Sequence, residues 1–236
     1  MPTLTSFPSG GSAVIIGATG GIGAALAEAL DHAQTFTPVT RLSRRGEPAL
    51  DITDEASIER AAEHLARLPP PRLILDATGL LHGPGISPEK SWRDIDPEAF
   101  ARSFAVNATG PALLMKHLLP LLPRTGKAVF ATLSARVGSI GDNRLGGWYA
   151  YRASKAALNQ FVHSAAIELK RRAPEAVCVA LHPGTVDTPL SGPFSRAGLD
   201  VQAPATAAAR LLAVIDGLDA GRTGGFFDHR GDVVAW

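Results

Sequence analysis

The sequence predicts a single α/β domain with a doubly wound, mostly parallel sheet of about seven strands and helices on both faces. Short β-rich runs alternate with segments of helical periodicity, which is the order of parallel strands joined by crossover helices. The strand-like runs are also almost continuously apolar rather than alternating, as expected for strands that helices cover on both faces. These two observations together predict this fold class.

The predicted strands are runs of apolar and β-branched residues bounded by glycine, proline or polar residues. In chain order they are 12–16 (SAVII), 37–42 (TPVTRL), 72–77 (RLILDA), 127–133 (KAVFATL), 176–181 (AVCVAL) and 224–228 (GGFFD), with a further short strand at 48–50 (PAL). Helices are expected at 21–31, 54–67, 97–121, 151–173 and 204–217. Ligands bind beyond the carboxyl ends of the strands in such a sheet, so we expect the site in those loops.

The composition indicates a soluble globular protein in which a local site must hold any ligand. A chain of 236 residues with 45% hydrophobic content is long enough to bury a core. Its 23 Lys and Arg against 22 Asp and Glu give a net charge of +1, which lacks the basic excess of nucleic-acid or membrane-surface binders. Cys178 is the only cysteine and cannot form an intrachain disulfide. With no signal-like or membrane-spanning run, we expect a cytoplasmic protein.

A glycine-rich turn directly follows the first strand. The segment GATGGIG places Gly17, Gly21 and Gly23 between the strand and the first helix. Glycines here let the backbone approach a pyrophosphate, whose charge the helix N-terminus attracts. The spacing G-x-x-x-G-x-G differs from the G-x-G-x-x-G fingerprint, and the absence of Gly-Lys-Ser/Thr excludes a P-loop. The turn predicts dinucleotide binding in a Rossmann-type domain, and a merely tight strand-to-helix connection is the alternative.

The end of the second strand indicates which dinucleotide binds. An acidic residue that contacts the ribose hydroxyls of NAD is expected about 20 residues after the first glycine. The segment RLSRRGE has Ser43, Arg44 and Arg45 in that region instead. An arginine binds the additional phosphate of NADP bidentately, whereas a carboxylate would repel it. We therefore expect NADP(H) as the preferred cofactor and NAD(H) as the alternative, unless both arginines are simply solvated loop charges.

The segment YAYRASK, residues 149–155, contains a candidate acid. Tyr151 has Lys155 one helical turn further on, whereas Tyr149 has only Ala153 at that spacing. A free tyrosine has a pKa near about 10, and a neighbouring ammonium lowers the pKa of the phenol toward the working pH. Tyr151 is therefore predicted to be a general acid/base. The alternative is a purely structural helix, because residues 158–169 also form an apolar stripe.

In their order and spacing, these motifs resemble the short-chain dehydrogenase/reductase superfamily over nearly the whole chain. The resembling segments are GATGGIG (17–23), LDITDEASI (50–58), DATG (76–79), FAVNATGP (104–111), YRASK (151–155) and HPGTVDTP (182–189). Residues 138–160 and the ending GGFFDHRGDVVAW are most similar to the branch of small carbonyl reductases that includes C-factor and sniffer relatives. DATG replaces the more usual Asn-Asn-Ala-Gly.

The resemblance implies a set of cofactor and catalytic residues. Tyr151 would protonate the substrate carbonyl oxygen, Lys155 would also bind the nicotinamide ribose, and Asn107 would hold a water that links Lys155 to solvent. For Asn107 the alternative is a side chain bonded to a helix carbonyl. The implied cofactor contacts are Gly17, Thr19, Gly21, Ile22, Gly23, Ser43, Arg44, Asp51, Ile52, Ala77, Thr78, Gly79, Asn107, Tyr151, Lys155, Pro183, Gly184, Val186 and Thr188.

The residue that donates to the substrate oxygen is less clearly defined. Family members carry a serine three residues before the glycine of Ser-x-x-Gly, and Gly138 would put Ala135 at that place. We predict that Ser134, one position earlier, is the catalytic donor after a local shift. Ser139 is the alternative.

These inferences predict one NAD(P)-binding domain over residues 1–236 that transfers a hydride between NADP(H) and a carbonyl or secondary alcohol. A small substrate lid is expected around residues 186–203, and a homodimer or homotetramer through the helices at 97–121 and 151–173. The seven histidines show no metal-site spacing, so no metal is expected. The alternative is a dinucleotide-binding regulatory or signalling protein with little turnover, suggested by Ala135 and DATG. A sugar-nucleotide epimerase would need a longer C-terminal segment.

Overall fold

The computed structural model describes residues 4–194 and 200–236. Its strands are β1 (Ser12–Ile16), β2 (Val39–Leu42), β3 (Pro71–Asp76), β4 (Ala128–Leu133), β5 (Ala176–His182), β6 (Thr185–Val186), β7 (Val201–Gln202) and β8 (Phe226–Asp228). Six of them form a parallel sheet in the order β2-β1-β3-β4-β5-β8, and β6 pairs with β7 in a small separate sheet. The predicted fold class is confirmed.

The main sheet has one strand fewer than predicted among the described residues. The segment at 48–50 forms only an isolated bridge between Ser43 and Ala49. Pro48 lacks the N–H group that a ladder requires, so this segment does not extend the sheet.

The helices are α1 (Gly21–Ala33), α2 (Glu55–Leu65), α3 (Pro97–Phe104), α4 (Gly110–Leu118), α5 (Tyr149–Arg172) and α6 (Pro204–Gly217). Alternate residues of β1 enter two separate apolar clusters, as the pleat requires: Val14 and Ile16 belong to one, Ala13 and Ile15 to the other. The first cluster includes residues of α2, α4 and α5, and the second includes residues of α1 and α6. The sheet is therefore covered on both faces.

The predicted helix at 97–121 is helical throughout but not uniform. A π-helical turn, Ala105–Thr109, separates α3 from α4, and a 3-10 turn at Leu119–Leu121 follows α4. Such π turns are rare and occur frequently at functional sites. Asn107 lies within this turn and is fully buried.

The sheet order brings the loops after β1, β3, β4 and β5 to one edge. Chain connections reverse direction between β1 and β3, because β2 lies on one side of β1 and the later strands lie on the other. A crevice forms at such a switch point beyond the carboxyl ends of the strands. In the part of the chain that the structure describes, no helix is both long and apolar enough to cross a bilayer.

Candidate active site

Three adjoining clefts lie along this edge of the sheet. The central cleft, of about 490 Å³, is lined by Thr19, Gly20, Gly21, Ile22, Arg44, Ala77, Thr78, Gly79, Leu80, His82, Leu133, Ser134, Tyr151, Lys155, Pro183, Thr188, Pro189 and Leu190. The β2-side cleft, about 380 Å³, adds residues including Gly17, Ser43, Asp51 and Ile52. The β5-side cleft, about 600 Å³, shares Ile22, Ser134, Tyr151, Pro183, Thr188 and Leu190 with the central one. The shared residues make one continuous depression.

The glycine turn can form only with residues that have no side chain. Gly17 has a φ of +78°, in the left-handed region that glycine adopts readily. A Cβ on Gly23 would lie 2.2 Å from the Gly17 carbonyl oxygen, and one on Gly21 would lie 2.7 Å from Thr188 Cγ2. Gly20, at the N-cap of α1, makes no side-chain cap, and the first turn of α1 has no acidic residue. The helix N-terminus is therefore left to attract an anion from outside the chain.

Ser43 and Arg44 border the β2-side cleft, and Arg44 also lines the central cleft. Arg44 is exposed and has no ion-pair partner among the described residues, whereas Arg41 is paired with Asp31. Arg45 is exposed too but lines none of the three clefts. Of the three arginines at this strand end, Arg44 is thus the one whose charge faces the cleft without a counter-ion.

Asp51 and Ile52 also line the β2-side cleft. The Asp51 carboxylate accepts hydrogen bonds from the Thr53 hydroxyl and amide at 2.7 and 2.9 Å, which lower its pKa, with a smaller contribution from Arg44. A Cβ on Gly110 would lie 2.3 Å from Ile52 Cγ1, so the start of α4 fixes the position of Ile52.

The DATG segment connects two strands of the sheet. Asp76 is buried and accepts hydrogen bonds from the Thr78 hydroxyl at 2.6 Å, the Thr78 amide at 3.0 Å and the Thr132 hydroxyl at 2.7 Å. Burial raises the pKa of Asp76, and these hydrogen bonds and Lys155 oppose that shift. Ala77, Thr78 and Gly79 follow directly and line the central and β2-side clefts.

Asn107 holds the loop after β3 rather than bonding to a helix carbonyl. Its Oδ1 accepts the Leu80 amide at 2.8 Å and its Nδ2 donates to the Leu80 carbonyl at 2.7 Å. Nδ2 also lies 3.2 Å from the hydroxyls of Ser103 and Ser154. Asn107 therefore lines none of the three clefts itself, but it fixes the backbone of a residue that does.

Tyr151 and Lys155 lie together in the wall of the central cleft. Lys155 is almost completely buried, and its Nζ donates to the Leu133 carbonyl at 2.8 Å. Burial lowers the pKa of Lys155 to about 8, with Asp76 opposing the shift. Burial raises the pKa of Tyr151 to about 12, which is opposite to the direction predicted from the neighbouring ammonium. Desolvation of the phenolate is the cause of this shift, and the phenol keeps its proton at neutral pH.

The N-terminus of α5 is capped by a residue from another loop. Trp148, at the N-cap, has a φ of +53° and makes no side-chain cap, and the first turn of α5 has no acidic residue. Instead, the nearly buried carboxylate of Glu89 accepts the Ala150 amide at 3.2 and 3.3 Å, and the Glu89 carbonyl accepts the Trp148 amide at 2.6 Å. The Trp148 ring packs edge-on against Tyr151. Glu89 thereby fixes the turn that carries Tyr151.

The two candidate serines occupy different surroundings. Ser134 lines the central and β5-side clefts, and its hydroxyl donates to Asn159 Oδ1 at 2.7 Å. Ser139 is buried, accepts the Asp142 amide at 3.1 Å and lines none of the three clefts. The structure thus brings Ser134, Tyr151 and Lys155 to one cleft and leaves Ser139 outside it. Ala135 lines the β5-side cleft.

The segment after β5 closes the other side of the site. Pro183 and Thr188 line both the central and the β5-side clefts, and Gly184 and Val186 line the β5-side cleft alone. Of the predicted lid, residues 186–194 and 200–203 are described, whereas 195–199 lie outside the described residues. Within the described ranges, no cluster of three or more His, Cys, Asp or Glu side chains could hold a metal ion.

Sequence reasoning missed several residues of the site. Gly20, Leu80, Leu133 and Leu190 line the central cleft, and Asn159 contacts Ser134 behind it. Asn159 could have been found, because it lies four residues after Lys155 and shares its helix face. Nothing in the sequence marks Glu89, since its contact with α5 spans 61 positions.

Comparisons with known proteins place the chain in a family. A profile of the short chain dehydrogenase family matches residues 12–197. C-signal of Myxococcus xanthus is 42% identical over 145 residues, covering 61% of this chain and 82% of the relative. The 1-hydroxy-2-glutathionyl-2-methyl-3-butene dehydrogenase of Rhodococcus sp. (strain AD45) is 34% identical over 191 residues, 80% of either chain.

Two solved structures have the same fold. The NADPH-bound carbonyl reductase from chicken fatty liver superposes with a TM-score of 0.83 at 24% identity, over 97% of this chain and 100% of that one. The carbonyl reductase Sniffer of D. melanogaster gives a TM-score of 0.81 at 23% identity, over 95% and 99% of the two chains.

Proposed function

Because this chain belongs to the short chain dehydrogenase family, with C-signal among its relatives and the same fold as the sniffer reductase, we propose that it is an NADP(H)-dependent oxidoreductase acting on a carbonyl or secondary alcohol. The observation that carries the proposal is that Tyr151, Lys155 and Ser134 line one cleft together with the glycine turn. A proton donor, a cation and a hydroxyl group therefore border the predicted dinucleotide site.

The residues of the clefts fit a dinucleotide. The glycine turn gives close backbone approach, α1 presents an uncapped N-terminus, and Arg44 supplies an unpaired guanidinium for a phosphate on the adenosine ribose. Asp51, Ile52, Ala77, Thr78 and Gly79 would line the adenosine part, while Ile22, Pro183, Gly184, Val186, Thr188, Tyr151 and Lys155 would surround the nicotinamide part. NADPH bound there would supply a hydride to the carbonyl carbon, and NAD(H) is the weaker alternative.

Residues of the chain supply the proton transfer and the stabilisation of charge. Tyr151, protonated at neutral pH, gives its proton to the carbonyl oxygen. Ser134 holds that oxygen, and the Lys155 ammonium stabilises the phenolate left behind. Asn107 keeps the Leu80 loop in place. A water held between Asn107 and Lys155 would return the proton to the phenolate.

The proposal is tested with Tyr151→Phe and the control Tyr149→Phe. Both remove one phenol from the same helix turn, but Tyr149 lines none of the three clefts. NADPH consumption is measured over a panel of aldehydes, ketones and quinones. We expect turnover of at least one compound, a loss of about a hundredfold or more in Tyr151→Phe, and near-normal activity in Tyr149→Phe. Full activity of Tyr151→Phe would refute the role of the phenol.

The similarity to C-signal favours a second candidate, a dinucleotide-binding signalling protein with little turnover. The same assay separates the two functions. NADPH binding, measured by calorimetry, without consumption on any compound of the panel would favour the signalling protein.

An exposed apolar groove supports the proposed homodimer or homotetramer. The groove lies between α4 and α5 and is lined by residues including Met115, Leu119, Phe161, Ala165 and Leu169. Phe161 is 39% exposed. Sedimentation of Phe161→Glu should show a shift to a smaller species, because the charge would enter the helix-to-helix contact.

A further inference from the structure

The β5-side cleft differs from the central cleft in its charge. Its charged lining residues are Arg136, Arg144, Arg152 and Asp142. His182 also lines it, but burial lowers the pKa of His182 to about 4, so the imidazole is neutral under physiological conditions. Three guanidinium groups thus face a single carboxylate. The lining of the cleft has a surplus of positive charge, although the whole chain is almost neutral.

The single carboxylate in the lining of this cleft, that of Asp142, is already paired with an arginine. Asp142 accepts a 2.6 Å hydrogen bond from Arg136 Nε, and this pairing lowers its pKa. Arg144 and Arg152 have no carboxylate partner among the described residues. In the described part of the chain, Arg144 donates to the carbonyls of Gly141 and Asn143, and its charge also helps to lower the pKa of Asp142. Two positive charges are therefore left for a ligand.

Arg152 is held rigidly without being neutralised. Its Nε donates to the carbonyls of Gly146 and Gly147 at 3.2 and 3.0 Å, and its Nη1 donates to the carbonyl of Val137 at 3.1 Å. Nη2 makes no hydrogen bond among the described residues. A guanidinium fixed by neutral carbonyls loses little side-chain entropy when an anion binds. Arg152 follows Tyr151 directly on α5.

The rest of the cleft is apolar and partly aromatic. Its wall includes Leu81, Leu145, Trp148, Val186, Leu190 and Phe194. The ring centroids of Trp148 and Phe194 are 5.3 Å apart in an edge-on arrangement, and the His82 ring centroid lies 5.4 Å from that of Phe194. Such a wall suits a hydrocarbon ring or chain rather than a sugar.

We propose that the substrate is an apolar carbonyl compound that carries a carboxylate, with its reacting carbonyl at Tyr151 and its carboxylate bound by Arg144 and Arg152. This rests on the proposed function and deepens it by naming the substrate class. Charge-assisted hydrogen bonds to a carboxylate are about twice as strong as neutral ones. The carboxylate would therefore both select the substrate and orient its carbonyl.

The test compares 4-formylbenzoate with its methyl ester, because both present the same aldehyde on the same ring. We expect kcat/KM with NADPH to be about tenfold or more higher for the acid, and the preference to fall as salt rises. Arg144→Gln, on an exposed side chain, and Arg152→Lys, which keeps the charge but loses the fork, should each lower the acid-to-ester ratio several-fold. Arg60→Gln removes the same charge from α2, outside the cleft, and should leave the ratio unchanged.

Equal or higher turnover of the ester would overturn the inference, and so would an acid preference that both arginine variants retain. If neither aldehyde reacts, the acid and the ester are titrated calorimetrically into the NADPH-loaded protein. Tighter binding of the acid that Arg144→Gln abolishes, with no NADPH consumption on any compound of the panel, would keep the anion site and refute the oxidoreductase. Equal binding of the two would overturn the anion site.

Discussion

The Ser134 hydroxyl donates its proton to the side-chain oxygen of Asn159, over 2.7 Å and in a buried setting. The other side-chain atom of that amide, Asn159 Nδ2, is buried without a hydrogen-bond partner. In this arrangement the hydroxyl proton is used in the hydrogen bond to Asn159, and only the lone pairs of the Ser134 oxygen are directed toward other groups. A half-turn of the amide would direct Nδ2 at Ser134 and release the hydroxyl proton for a substrate oxygen.

The two serines should respond differently to removal of the hydroxyl. We expect Ser134→Ala to lower kcat/KM about a hundredfold, the usual loss for one donor to a developing oxyanion. Ser139→Ala should have little effect, since Ser139 lines none of the three clefts. Steady-state kinetics on any aldehyde that is turned over makes the comparison. The opposite order would assign the donor to Ser139.

Asn159→Leu should impair catalysis without weakening cofactor binding. Leucine has a similar volume, so the helix keeps its packing, but the Ser134 hydroxyl loses the group that orients it. We expect kcat/KM to fall about tenfold, with an unchanged dissociation constant for NADPH by fluorescence titration. Unchanged turnover would mean that Ser134 needs no orienting partner. A parallel loss of NADPH affinity would indicate general damage to α5.

The rate of carbonyl reduction should fall above about pH 8. The pKa of Lys155 is lowered to about 8 by burial, so the ammonium is present below that pH and lost above it. Tyr151 keeps its proton over the same range, because burial raises its pKa to about 12. The pH profile of kcat/KM should therefore show one descending limb, which Lys155→Arg should shift to higher pH. A limb that stays in place in Lys155→Arg would assign it to another group.

Arg44→Asp should reduce the preference for NADP(H). The substitution replaces the unpaired guanidinium at the β2-side cleft by a carboxylate that repels the extra phosphate. We expect the dissociation constant for NADPH to rise about tenfold or more, with little change for NADH. Arg45→Asp is the matched control, because Arg45 is also exposed but lines none of the three clefts. Equal effects of the two variants would point to general electrostatics rather than a phosphate contact.

Gly23→Ala should destabilise the fold, whereas Gly20→Ala should be tolerated. The added Cβ would lie 2.2 Å from the Gly17 carbonyl oxygen in the first case and 3.4 Å from the same atom in the second. Overpacking of this kind costs about 1–3 kcal/mol. Urea denaturation should show a lower midpoint for Gly23→Ala alone. Equal midpoints would mean that the turn relaxes at no cost.

Most of the secondary structure could be predicted from the sequence because its determinants are local. The apolar runs of β1, β3, β4 and β5 and the helical periodicities each lie within one short window. The exceptions depend on a single backbone feature or on partners elsewhere. Pro48 removed the predicted short strand. The π turn around Asn107 has no periodicity of its own, and it forms where the Asn107 side chain reaches across to Leu80.

The candidate site shows the same difference between features with local determinants and features that depend on distant residues. The spacing of Tyr151 and Lys155 and the glycines of the first turn were readable as motifs, because each depends on residues within one turn of chain. The Glu89 cap of α5 and the Asn159 contact of Ser134 were not, since they join residues 61 and 25 positions apart. The surplus of positive charge in the β5-side cleft could not be predicted either, because it depends on which arginine pairs with Asp142.

By itself the sequence determined which side chains share a helix face or a turn, and hence that a phenol, an ammonium and a glycine-rich loop exist in the right order. Only the tertiary structure decided their protonation and their surroundings. Desolvation by distant segments raises the pKa of Tyr151 and lowers that of Lys155, and this term depends on the density of atoms around a group, not on its neighbours in the chain.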